Sequence, residues 1–320
     1  MQKKLSLLNK LQLLSLIAIC FVFIYQFIFV DWNFFEYAMY IRTPKLIAII
    51  ICSFCIGYAS MIFQSIINNR IVTPSLLGMN SLYILIHTSL VFFVGLDNPL
   101  VLNKNLTFMI DVLLMAILTI VIYGFLFKKT RYNILYILLS GTVLGTLFSS
   151  ISNTMIRVLD PNEYDTLLTE LVAGFDHVNT DLIMISILLI VLVFVIFFRD
   201  LKILDVLSLG RTQTINLGVD YDKSILKLLL CVSFLITIAT ALVGPISFLG
   251  LIAANLTREI FKTYKHVYLM LGSFLVGLIV LLGGQILIEH IFGFSTQISA
   301  LVNLFGGAYF LYLILKNKGV

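Results

Sequence analysis

Charge is what this sequence has least of. Across 320 residues only 12% are Asp, Glu, Lys or Arg, whereas 60% are hydrophobic. A soluble domain carries roughly 25% charged residues. A water-facing shell around one core is therefore excluded, and lipid must be the solvent for much of the surface. Long polar stretches are missing too: apolar blocks run from Leu11 to Leu315 without a hydrophilic linker. This argues for a single membrane domain over residues 1–320 and against two soluble ones. Cysteine is sparse, and Cys20, Cys52, Cys55 and Cys231 all lie inside apolar runs. Cys52-x-x-Cys55 has no second ligand pair, so it reads as two small residues of a membrane helix, with no metal or redox role. No G-x-x-x-x-G-K-[ST] phosphate loop occurs, so the chain does not bind ATP in that manner. H-E-x-x-H and paired acidic clusters are absent as well, which leaves no constellation for a membrane enzyme.

What is present is a series of apolar runs of roughly twenty residues, each able to cross about 30 Å of hydrocarbon as a helix. They predict an all-α polytopic protein of about ten spans, near 11–30, 44–67, 75–95, 107–127, 134–156, 181–198, 224–243, 246–258, 268–288 and 298–315. The first follows Lys3, Lys4 and Lys10 and has no small-x-small cleavage site, so it reads as an uncleaved span. The eighth is too short to cross alone and must be tilted or broken, sheltered by protein. With both termini inside, only Arg42, Lys45, Lys104 and Arg157 of the 21 Lys and Arg fall outside. That bias satisfies the positive-inside rule. It also makes the net charge of +5 a sign of topology, not of nucleic-acid binding.

The loop between spans five and six gathers Asp160, Glu163, Asp165, Glu170, Asp176 and Asp181. Within it Leu167, Leu168, Leu171 and Val172 recur at helical spacing, which predicts a short amphipathic helix on the outer surface. Within the spans, Gln64, Asn68, Asn69, His87, Asn153, Gln285 and Asn303 are candidates to face the bundle or a pore. His87 reads as a packing residue and Asp111 as one that reaches the outer interface. No ionisable pair is expected at mid-membrane, which weighs against an ion-coupled carrier. Gly141-x-x-x-Gly145, Gly272, Gly277, Gly283-Gly284 and Gly306-Gly307 predict close helix contacts within the chain.

Two further segments are unusual. Leu209-Gly-Arg-Thr-Gln-Thr-Ile-Asn-Leu-Gly218 places two glycines around a short helical stretch. Gly244-Pro-Ile-Ser-Phe-Leu-Gly250 opens the eighth span with a sharp turn and runs on to Arg258 and the inner surface. Non-helical backbone at membrane depth is tolerated only in protein or along a cavity, so a passage-forming or force-transmitting element is expected here.

Several stretches resemble the FecCD permeases, which import ferric siderophores, haem and vitamin B12. Arg42-Thr-Pro-Lys45 resembles the family's R-x-P-R. Gln64 with Asn69-Arg-Ile-Val-Thr-Pro-Ser-Leu-Leu-Gly78 is similar to Q…N-P-L-A-x-P-x-x-L-G. Leu209 to Gly218 resembles L-G-x-x-x-A-x-x-L-G, and Gly244 to Arg258 resembles G-P-I-x-F-x-G-L-I-x-P-H-x-x-R. The last span, with Gly306-Gly-Ala-Tyr-Phe, is similar to G-x-P-x-F-x-x-L-L. Arg70, Arg211, the Ala254-Asn255 pair and Glu289 depart from these patterns, whereas Ala-Asn-Leu-Thr-Arg leans toward the branch handling catecholate and related siderophores.

The resemblance implies a fold like that of the vitamin B12 permease. It implies a permease dimer, a second copy or a sister permease, around a central passage in a bacterial cytoplasmic membrane. Two ATP-binding subunits would sit below, holding ATP and Mg, so that this chain needs no cofactor or metal of its own. An extracytoplasmic binding protein would dock above. In these terms Arg42 and Lys45 would meet the binding protein, with interfacial anchoring as the other reading of both. Gln64, Asn69 and Asn153 would line the passage. Leu209, Gly210, Leu217, Gly218 and Arg258 would couple to the ATPase, and Gly244, Pro245 and Gly250 would form a structural turn. The cargo would be a ferric siderophore, with haem or vitamin B12 as alternatives; an ion-coupled secondary transporter is the rival reading.

Overall fold

The computed structural model describes residues 6–317 apart from 97, 131–133, 172, 176–178 and 294–295. Lys3, Lys4, Val172 and Asp176 of the preceding section lie outside these. The described residues form fourteen α-helices. These are α1 (Leu7–Phe27), α2 (Phe35–Ile67), α3 (Met79–Val94), α4 (Pro99–Leu102), α5 (Lys104–Lys129), α6 (Ile134–Ile156) and α7 (Pro161–Leu171). They continue with α8 (Thr180–Lys202), α9 (Leu204–Leu207), α10 (Arg211–Asn216), α11 (Tyr221–Val243), α12 (Leu249–Phe261), α13 (His266–His290) and α14 (Ile298–Asn317). Seven are long and apolar enough to cross a membrane, and α3 and α14 are shorter apolar helices. Adding α12, each expected span has its helix. The amphipathic α7 is also present, with Leu167 buried and Asp165 exposed.

Local chemistry sets the ends. Ser6, Asn103, Asn179 and Asp220 cap α1, α5, α8 and α11 by accepting backbone N–H groups of the first turn. Asn68 at φ +52° ends α2 in the left-handed region, and Gly244 at φ +91° ends α11.

The core is built around α2. From Ala48 to Ile67 nearly every α2 residue is buried, packed by α11, α12 and α13. Two small residues bring α2 and α13 together: Ser273 Oγ donates to Gly57 O at 3.0 Å, and a methyl on Gly57 would stand 2.9 Å from Ser273 O. A second close crossing joins α6 to the short 3-10 turn Pro74–Leu77. There Gly141 and Gly145 press on Leu77 and Gly78, and a Cβ on Gly145 would lie 3.0 Å from Gly78 Cα. The expected Gly-x-x-x-Gly contact is thus within the chain. It frees the opposite face of α6.

Replacing Gly145 by Val should cost about 1–3 kcal/mol through overpacking against backbone that cannot move aside. Thermal unfolding of the detergent-solubilised protein checks this; an unchanged melting temperature would contradict the close crossing.

Candidate translocation passage and coupling surface

The exposed faces of the long helices differ in chemistry. Exposed residues on α1 between 13 and 27 are apolar apart from Cys20, and those on α5 between 106 and 125 and on α8 between 184 and 198 are wholly apolar. Such faces suit lipid. On α6 the exposed surface is mixed: beside Leu139, Val143, Leu147 and Ile151 stand Thr142, Thr146, Ser150, Asn153 and Thr154. The hydroxyls climb the helix at four-residue spacing, each donating back to its own backbone: Thr142 to Leu139 O (2.9 Å), Thr146 to Thr142 O (2.9 Å), Ser150 to Thr146 O (2.8 Å) and Thr154 to Ser150 O (2.8 Å). Their donors are satisfied, yet each oxygen still accepts from water. Such a surface wets without gripping a cargo. Arg157 extends the same face by one turn, exposed, with its backbone N–H on Asn153 O at 3.3 Å.

Of the three residues expected to line a passage, Asn153 alone stands on this stripe. Gln64 is 1% exposed, and its amide donates to Arg70 O at 2.8 Å. Asn69 Oδ1 accepts the Ile71 N–H at 2.9 Å. Both hold the turn after α2. The stripe's hydroxyls are absent from the sequence reading although their period of four is visible in it: near-neutral Thr and Ser do not interrupt an apolar run.

At the basic end, α10 is framed by Gly210 (φ +94°) and Gly218 (φ +81°), backbone conformations that require glycine. Thr214 Oγ1 reaches Val206 O at 3.0 Å and Gly210 O at 2.8 Å, fastening α10 to α9. Leu209, Ile215 and Leu217 are 55%, 52% and 61% exposed. An apolar cluster this open on a water-facing segment suits a protein partner. Arg258 donates to Ser65 Oγ at 3.1 Å.

Comparison with known proteins agrees with this geometry. Residues 11–316 match the FecCD transport family. The chain belongs to that family. It is 45% identical to the petrobactin import system permease protein YclO of Bacillus subtilis, over 97% of this chain and 98% of that one. It is 35% identical to the petrobactin import system permease protein FatC of Bacillus anthracis, over 87% and 79%. Its fold matches a solved chain from an inward-facing ABC transporter assigned to the metal-chelate type, with a TM-score of 0.81 at 21% identity, covering 97% and 100%.

The departures from the FecCD pattern have local explanations. Asn255, standing where the family has histidine, donates to Arg70 O at 2.9 Å and helps close the turn that Gln64 also closes. Ala254, where the family has proline, is fully buried, and α12 runs through it unbroken. Arg211 meets Asp222 at 3.0 Å across an exposed ion pair. Glu289 lies 3.9 Å from Lys45 Nζ and accepts from Tyr25 Oη (3.1 Å) and Gln285 Nε2 (2.9 Å).

Arg42 and Lys45 have partners within the chain. Lys45 is buried against Glu289. Arg42 Nη1 donates to the carbonyls of Tyr25, Gln26 and Ile28, which end α1. Both charges thus hold helix ends together. A correction concerns charge inside the bundle. Asp111 is buried and sits 2.8 Å from His87 Nδ1, with Tyr83 stacked on the imidazole. An ionisable pair is therefore present between α3 and α5, where none is expected from sequence. It lies off the exposed face of α6.

Lys45→Met should destabilise the protein by about 3 kcal/mol, because Glu289 would keep its burial and lose its cation. Lys45→Met combined with Glu289→Gln should recover most of the loss. Melting curves of both variants test the pair; a double variant no better than the single would refute it.

Proposed function

We propose that this chain is the membrane-spanning permease of an ATP-driven importer for a ferric siderophore of the petrobactin class. The observation that carries the reading is 45% identity along nearly the full length of both chains with a petrobactin permease. The α6 stripe supports it physically: a run of exposed hydroxyls with the Asn153 amide can take water along a passage. One copy of the stripe cannot enclose a passage. A second permease, identical or a sister chain, would supply the facing wall.

The engine lies outside this polypeptide. Two ATP-binding subunits, which hold ATP and Mg, would dock on Leu209–Gly218, placing the basic end and both termini in the cytoplasm of a bacterial cell. A binding protein would deliver the chelate at the opposite end, where Arg157 marks the mouth of the stripe. Weak contacts in the passage suit this division of labour, because a tight site would slow release.

With the ATPase, the paired permease and the binding protein in proteoliposomes, ferric petrobactin uptake should require ATP. Uptake by this chain alone on an ion gradient would end the proposal. Within that assay Asn153→Leu and Ser150→Leu should each reduce uptake several-fold at unchanged protein yield. Wild-type rates in both would remove α6 from the passage.

A further inference from the structure

A chain of polar contacts at the basic end takes no part in the passage. Asp205, in α9, accepts the backbone N–H of His266 at 2.9 Å, and the same oxygen meets the ring Nδ1 of His266. His266 opens α13, so Asp205 caps that helix from a different element. The other ring nitrogen, Nε2, lies 2.7 Å from Ser65 Oγ near the end of α2. Arg258 of α12 donates to the same hydroxyl, which also lies 2.8 Å from Met61 O. One hydroxyl therefore joins α2, α12 and α13, and one carboxylate ties that knot to α9.

The proton arrangement makes the link directional. Ser65 has a single proton to place, on Met61 O or on His266 Nε2. In the first case Nε2 donates and the ring is an imidazolium; in the second it is neutral. Either way Nδ1 carries a proton toward the Asp205 carboxylate, so that contact is charge-assisted. Because Thr214 fastens α10 to α9, a displacement of Leu209–Gly218 carries Asp205 with it.

We propose that Asp205, His266 and Ser65 are positioning residues that transmit movement of the α10 segment to α13 and α2. The proposal rests on the reading of that segment as the ATPase contact. It predicts uncoupling, which a merely structural role would not produce.

Asp205→Asn is isosteric, and the side chain is 44% exposed, so the variant is expected to fold. In the reconstituted transporter ATP hydrolysis and ferric petrobactin uptake are measured together. The ATPase should still co-purify and hydrolyse ATP, while chelate imported per ATP falls roughly tenfold, the scale of one charge-assisted hydrogen bond. His266→Gln should behave alike, and Ser65→Thr, which keeps the hydroxyl, should remain coupled. Uptake and hydrolysis falling in equal proportion, or neither changing, would overturn the linkage. A wild-type chain that holds no ATPase would instead overturn the coupling role of α10, and this linkage with it.

Discussion

Hydrocarbon offers backbone N–H and C=O groups no partner, and the architecture follows from that constraint. Ten helices close their own hydrogen bonds, but the fold also needs two breaks at depth: the turn through Asn68–Gly78 and the turn through Gly244–Phe248. The first runs inward from exposed Asn68 and Arg70 to buried Val72, Thr73 and Leu77, and the second is buried or half-buried. The first is closed by side-chain amides, Gln64 and Asn255 converging on the Arg70 carbonyl, and is roofed by Gly141 and Gly145 of α6. The second is held from the segment between α7 and α8, where Gly174 N–H donates to Val243 O at 3.0 Å, and Asn80 reaches Ser247. Side-chain amides thus help make irregular backbone affordable.

The same constraint sorts the charges. Lys45 with Glu289 buries opposite signs together, the arrangement that lowers the cost of an ion away from water, and the Asp111 carboxylate is met by the His87 imidazole. The first pair crosses from α2 to α13 and the second from α3 to α5. Hydroxyls are treated differently: along α6 they satisfy themselves on their own helix and remain available to water. The outcome is a bundle with lipid-compatible faces on α1, α5 and α8 and one wettable face, generated by Gly packing on the far side of the same helix.

This division also accounts for what is legible in the sequence. Span number and position follow from hydropathy, and most helix ends agree to within about a turn; α2 is the exception, starting at Phe35 and running through Pro44, where the expected span began. The α10 segment is legible from its two glycines, each at positive φ. Cross-helix partners are not: nothing in the primary structure pairs Glu289 with Lys45 or Asp111 with His87. The carbonyls at the end of α1 that Arg42 meets are likewise invisible in the sequence.

Energy released at the cytoplasmic surface can move a passage only through elements that do not yield. Lipid-facing contacts yield, since one apolar neighbour replaces another at little cost. Directional polar contacts between helices do not, because a broken one leaves a buried donor or acceptor without water. In this chain the crossing of α2 and α13 is tight, with Gly57 against Ser273, and its basic end is pinned through Ser65 and His266. Close packing in the middle and hydrogen bonds at the end make α2 and α13 a single lever. On α6 the hydroxyls of Ser149 and Ser152 meet Ser81 and Thr88 of α3, so α6 and α3 form a second unit beside it.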